Sequence, residues 1–390
     1  MGDKHEAINS PNLPAVGPSM ISSKRSSYLP SLDGWRAIAI LWVLEGHSAL
    51  WKWGTLSNGW LRDTDSRGVQ LFFALSGFLI CTRLLREEER DGSISLRSFY
   101  TRRVFRIQPA AMTYLFVVVL LSVCGVIPHF WSAIAGGALM VRNVWPTALK
   151  PGYWYTAHFW SLAIEEHFYL LLPGFLVLFR RSRLAILLGT VVVLEIWQAV
   201  VFSTPRLQNA VGWQVAQRTD IAMGGILLGS AFAVAFTHEG VLRFAVSIVR
   251  PWVALLYAAI VFLFAARHHS SLAQTPLMTV YSILIIATVL HPESVSTKLL
   301  ELAPVRFLGT ISYSLYLWQQ LFSNGEEVPP PHSLYSHVLL CWCATFACAI
   351  ASYYLIERPL IRYGHRIVRK FDLDEQKTGR SFGSSEMAGA

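Results

Sequence analysis

Apolar residues run through this chain in blocks of about 20, separated by short polar stretches. A block of that length matches the hydrocarbon thickness of a bilayer. The blocks predict about ten spans: 34–51, 68–85, 108–127, 161–179, 184–203, 216–237, 250–266, 274–291, 304–322 and 335–356. A further apolar stretch at 130–141 is short for a span and reads as re-entrant or interfacial. The predicted fold is all-α, a polytopic membrane helix bundle. Residues 1–30 are polar, rich in Ser and Pro and without an apolar core, so they read as a disordered tail and not as a signal peptide. Residues 31–360 form the expected membrane domain, and 361–390 a second, largely disordered tail.

Composition sharpens this picture. Hydrophobic residues make up 53% of the chain, charged residues 15%, and the mean hydropathy is +0.42. A soluble domain of this size is excluded, and membrane lipids become the surrounding medium. The net charge of +9 is distributed by topology. With the N-terminus inside, the Arg-rich runs from Arg83 to Arg106 and from Arg358 to Arg380 face the cytoplasm. The bias predicts both termini cytoplasmic. It also accounts for the positive charge without a nucleic-acid partner. The five cysteines all fall within apolar stretches and read as buried thiols, with no metal-ligand spacing among them.

Chemistry enters where ionisable groups interrupt the apolar blocks. In "LDGWRAIAILWVLEGHSALW", residues 32–51, Arg36 and His47 are 11 residues apart, close to three helical turns. Both therefore project from one face, separated by roughly 16 Å of rise. Charged or polar groups at membrane depth face a bundle interior or a wet cavity, and imidazole suits proton transfer near neutral pH. Asp33 lies one turn before Arg36 and can pair with it. In "FYTRRVFRIQP", residues 99–109, Arg103 and Arg106 share a helix face, with Arg102 beside them. They read equally as a positive-inside anchor or as a clamp for a polyanion. In "HFWSLAIEEHFYLLLP", residues 158–173, Ser161 reads as a helix N-cap, and Glu165 and Glu166 follow where the helix dipole favours carboxylates. The same acids, with His158 close by, can line a polar cavity. Ser76 and Gly77 in "GVQLFFALSGFLICTRLLR", and Tyr313, Tyr316, Trp318 and Gln319 in "GTISYSLYLWQQ", read as helix–helix contacts or as cavity walls.

The order and wording of these stretches carry a resemblance. "LDGWRAIAILWVLEGH", "FFALSGFLI", "RRVFRIQP", "HFWSLAIEEHFYLLLP", "ISYSLYLW" and "IERP" closely resemble the successive motifs of the acyltransferase-3 family, over about residues 31 to 360. That family comprises membrane O-acyltransferases of bacterial envelope sugars and some antibiotics. Its Arg–His pattern falls on Arg36 and His47, its Arg-x-x-Arg on Arg103 and Arg106, its Trp-Ser-Leu-x-x-Glu on Trp160 to Glu165, and its Ser-Gly-Phe on Ser76 to Phe78. The chain departs from the pattern at Glu45 and Gly46, where an apolar pair is usual, and at Gln319, where histidine is frequent.

The resemblance implies a cytoplasmic acyl-CoA donor, most simply acetyl-CoA, with no metal. The implied acceptor is an extracytoplasmic carbohydrate or glycosylated small molecule, and the setting is the bacterial cytoplasmic membrane. Arg36, Arg102, Arg103 and Arg106 are the implied donor contacts, and Ser76, His158, Trp160 and Tyr313 the acceptor contacts. His47 is the implied base, with Glu165 to orient it or to bind sugar hydroxyls. A covalent acyl-histidine is the rival route. A proton-coupled transporter or a flippase is the alternative class.

Overall fold

The computed structural model describes residues 28–47, 64–128, 130–144, 153–207, 217–267, 274–323 and 338–387. Among them all regular structure is helical. Residues 1–27 of the expected N-terminal tail lie outside the described residues.

The site is built by four long helices and the ends of two shorter ones. Helix α1 spans Pro30–Gly46, with Pro30 in its first turn and Asp33 close behind, both favourable at a helix N-terminus. Helix α2 (Thr64–Asp91) and helix α3 (Leu96–Val123) are 28 residues each, about 42 Å long. They form a hairpin closed by Gly92 at φ +74° and by Ser95, which caps α3. Ser95 accepts from the Ser98 amide, and its own amide donates to Glu87 (2.9 Å). Helix α4 (Trp131–Ala138) has eight residues, too short to span, as its apolar stretch suggests. Helix α5 (Phe159–Leu178) and helix α6 (Arg183–Ser203) follow. Exposed Val192, Val193, Ile196 and Val200 form an apolar stripe on α6, as expected of a lipid-facing surface.

Among the described residues five helices are long and apolar enough to cross a membrane: 64–91, 96–123, 154–178, 183–203 and 339–371. A sixth arises if the pair Gly224–Ala235 and Glu239–Ile248, bent by 111°, counts as one broken span. Several apolar blocks read as single spans are interrupted. Helix α1 stops at Gly46, so His47 is its C-cap and does not sit mid-span. The block at 304–322 divides at Ile311 into Ala303–Thr310 and Ser312–Phe322. Gly309 lies at that break, where any Cβ would overlap the Asp33 carbonyl. The arginines read as preceding the third span are inside α3, because helix continues outward through the charged sequence.

Backbones approach closely at the bundle centre. A Cβ on Gly77 of α2 would overlap the Ile226 carbonyl, and Ser230 lies within hydrogen-bond distance of the carbonyls of Gly77 and Ile226. Small residues permit this contact where apolar lipid gives no hydrophobic drive for helix association. Near the C-terminus, helix Val338–Ser352 passes through a π-helical segment, Tyr353–Glu357, into helix Arg358–Met387. Pro359 cannot donate to the helical ladder, which accounts for the widening just before it. The segment from 361, read from composition as a largely disordered tail, is helical through Met387. Buried Gly364 and Val368 form a stripe, and Gly364 packs on Phe105 of α3. The cysteine reading also changes: Cys81 is buried, whereas Cys124, just past the end of α3, and Cys343 are exposed.

Candidate active site

Four guanidiniums converge at one end of the bundle. Arg36 of α1, Arg83 of α2, and Arg103 and Arg106 of α3 line one small cavity of about 20 Å³, together with Ser76, Tyr169, Leu32, Leu75, Leu79 and Ile80. Helical spacing produces the convergence. Ser76 and Arg83 are seven residues apart on α2, and Arg103 and Arg106 three apart on α3, so each pair shares a face. The Arg103 guanidinium lies over the Tyr169 ring, 4.2 Å from its centroid. Among the described residues these four arginines share one salt bridge, Arg36 to Asp33 at 3.9 Å. Arg83 is exposed and the other three are half-buried; such a concentration of cations attracts an anion with several oxygens.

Arg102, read from sequence as part of this group, points elsewhere. It pairs with Glu87 of α2 at 2.9 Å. Arg83 takes its place, a residue the sequence reading left among the positive-inside anchors. Its seven-residue spacing from Ser76 was the available signal.

Tyr169 lines the cavity from α5, and Glu165 lies one turn before it. Glu165 accepts from Ser76 Oγ (3.1 Å) and from Tyr169 OH (2.9 Å), two residues of the cavity wall. None of its hydrogen bonds goes to His47, so the expected Glu165–His47 pair does not form. Ser76, expected to touch acceptor, belongs to the arginine cavity. Ser161 is inside α5 and not its N-cap: its hydroxyl donates to the His158 carbonyl (3.2 Å) and lies 2.5 Å from Tyr316 OH.

His47 stands at the other end of α1. Its Nδ1 is 3.1 Å from Gln319 Oε1, its Nε2 is 3.5 Å from Asp65, and its ring meets Trp154 edge-on at 5.5 Å. The unusual pair Glu45–Gly46 explains how Asp65 comes so close. Glu45 accepts a hydrogen bond from Thr64, and a Cβ on Gly46 would overlap the Asp65 amide. Asp65, Trp154 and Gln319 were invisible as partners in the sequence, since each contact joins distant segments.

The remaining expected acceptor residues are scattered. His158 is buried against Tyr114, Phe159 and Tyr316, and neither ring nitrogen has a hydrogen-bond partner among the described residues. His47 and Arg142 are close enough to act on it electrostatically. Burial pulls the Arg142 guanidinium below its ordinary value, and the Tyr153 ring 4.2 Å away opposes this. Trp160 packs edge-on to Phe73, and Tyr313 donates its hydroxyl to the Ile107 carbonyl (2.9 Å). Glu357, from the "IERP" stretch, is buried and accepts from Ser314 (2.8 Å), tying two helices together.

A larger cavity of about 670 Å³ opens elsewhere along α1 and α2. Its polar lining mixes Arg86 and Arg183 with Glu88, Glu89, Glu239 and Glu301, so it offers phosphate no net attraction. Among the described residues no group of His, Cys, Asp and Glu could hold a metal ion.

A family model described as an acyltransferase domain matches residues 29–325. The chain belongs to the acyltransferase-3 family. The match covers the arginine cavity, His47 and Gln319 together. The acyltransferase-3 chain is 29% identical over 373 residues to the peptidoglycan O-acetyltransferase OatA of Listeria monocytogenes, covering 86% of this chain and 56% of that protein. It is likewise 29% identical over 369 residues to YrhL of Bacillus subtilis, covering 87% of this chain and 56% of that one. It thus spans about half the length of the curated relatives it matches. No solved structure matches.

Proposed function

We propose that this acyltransferase-3 chain moves an acyl group, most simply acetyl, from cytoplasmic acyl-CoA to a hydroxyl of an extracytoplasmic carbohydrate. The observation carrying this reading is the four-arginine cavity. Its convergence of guanidiniums, three half-buried and that of Arg83 exposed, suits the phosphates of CoA, because planar N–H forks recognise phosphate oxygens well. Glu165 and Ser76 then belong to the donor side. The positive-inside bias supports this end as cytoplasmic, in a bacterial inner membrane, with ten spans and both termini inside. The carbohydrate acceptor is supported by the relative named as a peptidoglycan O-acetyltransferase.

Helix α1 joins donor cations to base. Arg36 and His47 are about 16 Å apart along it, a distance for the extended pantetheine arm to cover. His47 Nε2 takes the proton of the acceptor hydroxyl as that oxygen bonds to the thioester carbonyl carbon. The carbon–sulfur bond then breaks, and the departing thiolate takes the proton from His47 as free CoA. Acceptor contacts are assigned to His158 and Trp160, whereas Tyr313, bonded to the Ile107 carbonyl beside Arg106, falls on the donor side.

The test is turnover in a purified, reconstituted protein. With radiolabelled acetyl-CoA and solubilised peptidoglycan fragments, label should move to the glycan and free thiol should appear in equal amount. Donor binding without transfer to any glycan would return the chain to the transporter or flippase reading.

A further inference from the structure

A line of two side-chain amides ends on the His47 ring, and its direction is fixed at the far end. Gln320 Nε2 lies 2.9 Å from the Trp154 carbonyl, which can only accept. The Gln320 NH₂ group must therefore face Trp154, which leaves Gln320 Oε1 facing Gln319. Gln319 Nε2 donates to that oxygen at 2.8 Å. Gln319 Oε1 is thereby turned to His47 Nδ1 at 3.1 Å, and an amide oxygen can only accept. Trp154 holds the line from the other side, its indole N–H donating to the Gln320 carbonyl at 3.1 Å. Both glutamines are about 1% exposed, so water does not compete for these bonds.

We infer that Gln319, oriented by Gln320 and the Trp154 carbonyl, is a positioning residue that keeps the proton on His47 Nδ1 and leaves Nε2 as the nitrogen that exchanges protons. The inference rests on the reading of His47 as base. In the transfer step the acceptor proton goes to Nε2, the hydroxyl oxygen bonds to the acyl carbon, and the sulfur leaves with that proton. Nδ1–H stays in place throughout. Asp65, 3.5 Å from Nε2, is too far for a good hydrogen bond and near enough to stabilise the imidazolium that forms transiently. The roles divide, with a neutral amide setting the tautomer and a carboxylate stabilising the charge. A wrong tautomer is costly: a similar loss in serine hydrolases lowers turnover by about 10⁴-fold.

The experiment compares His47→Ala, Gln319→Leu, Gln319→Glu and Gln320→Leu in the full reconstituted chain, with donor KM, kcat and pH profile measured for each. Gln319→Leu should lower kcat about 10- to 100-fold with donor KM changed by less than about threefold. Gln319→Glu keeps an accepting oxygen, so it should recover much of that loss. Its added negative charge should also move the acid limb of the profile to higher pH. Asp65, Glu45 and His158 are the titratable groups around His47, and Arg142 is the cation that acts on His158; all are unchanged in these variants. Gln320→Leu frees Gln319 to turn, so it should show a smaller loss than Gln319→Leu. Gln319→Leu within twofold of wild type, alongside an inactive His47→Ala, overturns this inference alone. A loss in Gln319→Leu that Glu neither relieves nor shifts in pH reduces Gln319 to packing and also overturns it. Activity surviving in folded His47→Ala overturns the base reading, and this inference with it.

Discussion

Replacing Arg103 with Gln removes one of the four guanidiniums around the arginine cavity, and replacing Arg102 removes its neighbour in sequence. The two changes are alike in charge and position along α3, yet the structure gives them different consequences. Arg103 is stacked at 4.2 Å on Tyr169 and lines the cavity with Ser76. A charge-assisted hydrogen bond from such a desolvated group contributes about 1.5–3 kcal/mol. At 1.4 kcal/mol per decade its loss weakens donor binding roughly 10- to 100-fold. Arg102 is 32% exposed and spends its charge on Glu87 at 2.9 Å. A partly exposed pair of that kind is worth about 0–1 kcal/mol, and to stability rather than to donor. The assay is equilibrium binding of CoA and of 3′-dephospho-CoA to each purified variant, at two ionic strengths. Arg103→Gln should lose affinity for both and flatten the salt dependence, whereas Arg102→Gln should bind within about twofold of wild type. A thermodynamic cycle over Arg103 and the 3′-phosphate isolates their coupling. If Arg102→Gln weakens binding as much as Arg103→Gln, the cavity does not hold the phosphates, and the arginines of α3 are membrane anchors.

Three further outcomes are expected. His47→Ala should express and insert normally yet lose about a hundredfold or more in transfer rate, read as acetyl movement from labelled donor; activity within a few fold of wild type in folded protein excludes it as base. Gly77→Ala should lower the thermal midpoint, because its new Cβ overlaps the Ile226 carbonyl and forces two helix backbones apart. Overpacking of this kind costs about 1–3 kcal/mol, and an unchanged midpoint in detergent would show that the contact can relax. In a background lacking the five native cysteines, cysteine at Val144 should react with an impermeant maleimide on intact cells, and cysteine at Ser93 should not. The reverse pattern would place the arginine cavity outside the cell.

What the sequence made legible follows from periodicity, and what it hid follows from chain crossings. Spacing alone puts Arg103 with Arg106 on one helix face and Arg36 with His47 on another, and the family resemblance joins Arg36 to the other two. Arg102 was grouped with them by adjacency, and a rotation of 100° per residue sends it to Glu87 instead. Arg83 was concealed within a charged run whose topological meaning already explained it. His47 was legible as an isolated imidazole, but Gln319 is 272 residues away and carries no charge to mark it as a partner. The interruption at Ile311 was hidden for a related reason, since it comes from the packing of Gly309 on Asp33 and leaves the apolar pattern unbroken.

Helix α2 carries Asp65 near one end and Arg83 toward the other, 18 residues apart, which is five whole turns. The residue beside the imidazole and a residue of the arginine cavity therefore lie on the same side of one stiff rod, about 27 Å apart along its axis. Helix α1 runs antiparallel to that rod and carries Arg36 and His47 three turns apart. Two backbones, rather than side-chain choice, thus fix the separation of the two ends, so on the proposed reading the bundle would act as a gauge for ligand length. Under that reading an arm that is too short would meet the cations and never reach the imidazole. The ends are phased as well as spaced: one residue inserted between Asp65 and Arg83 would turn one end by about 100° relative to the other, and no rotamer of either side chain could undo that turn.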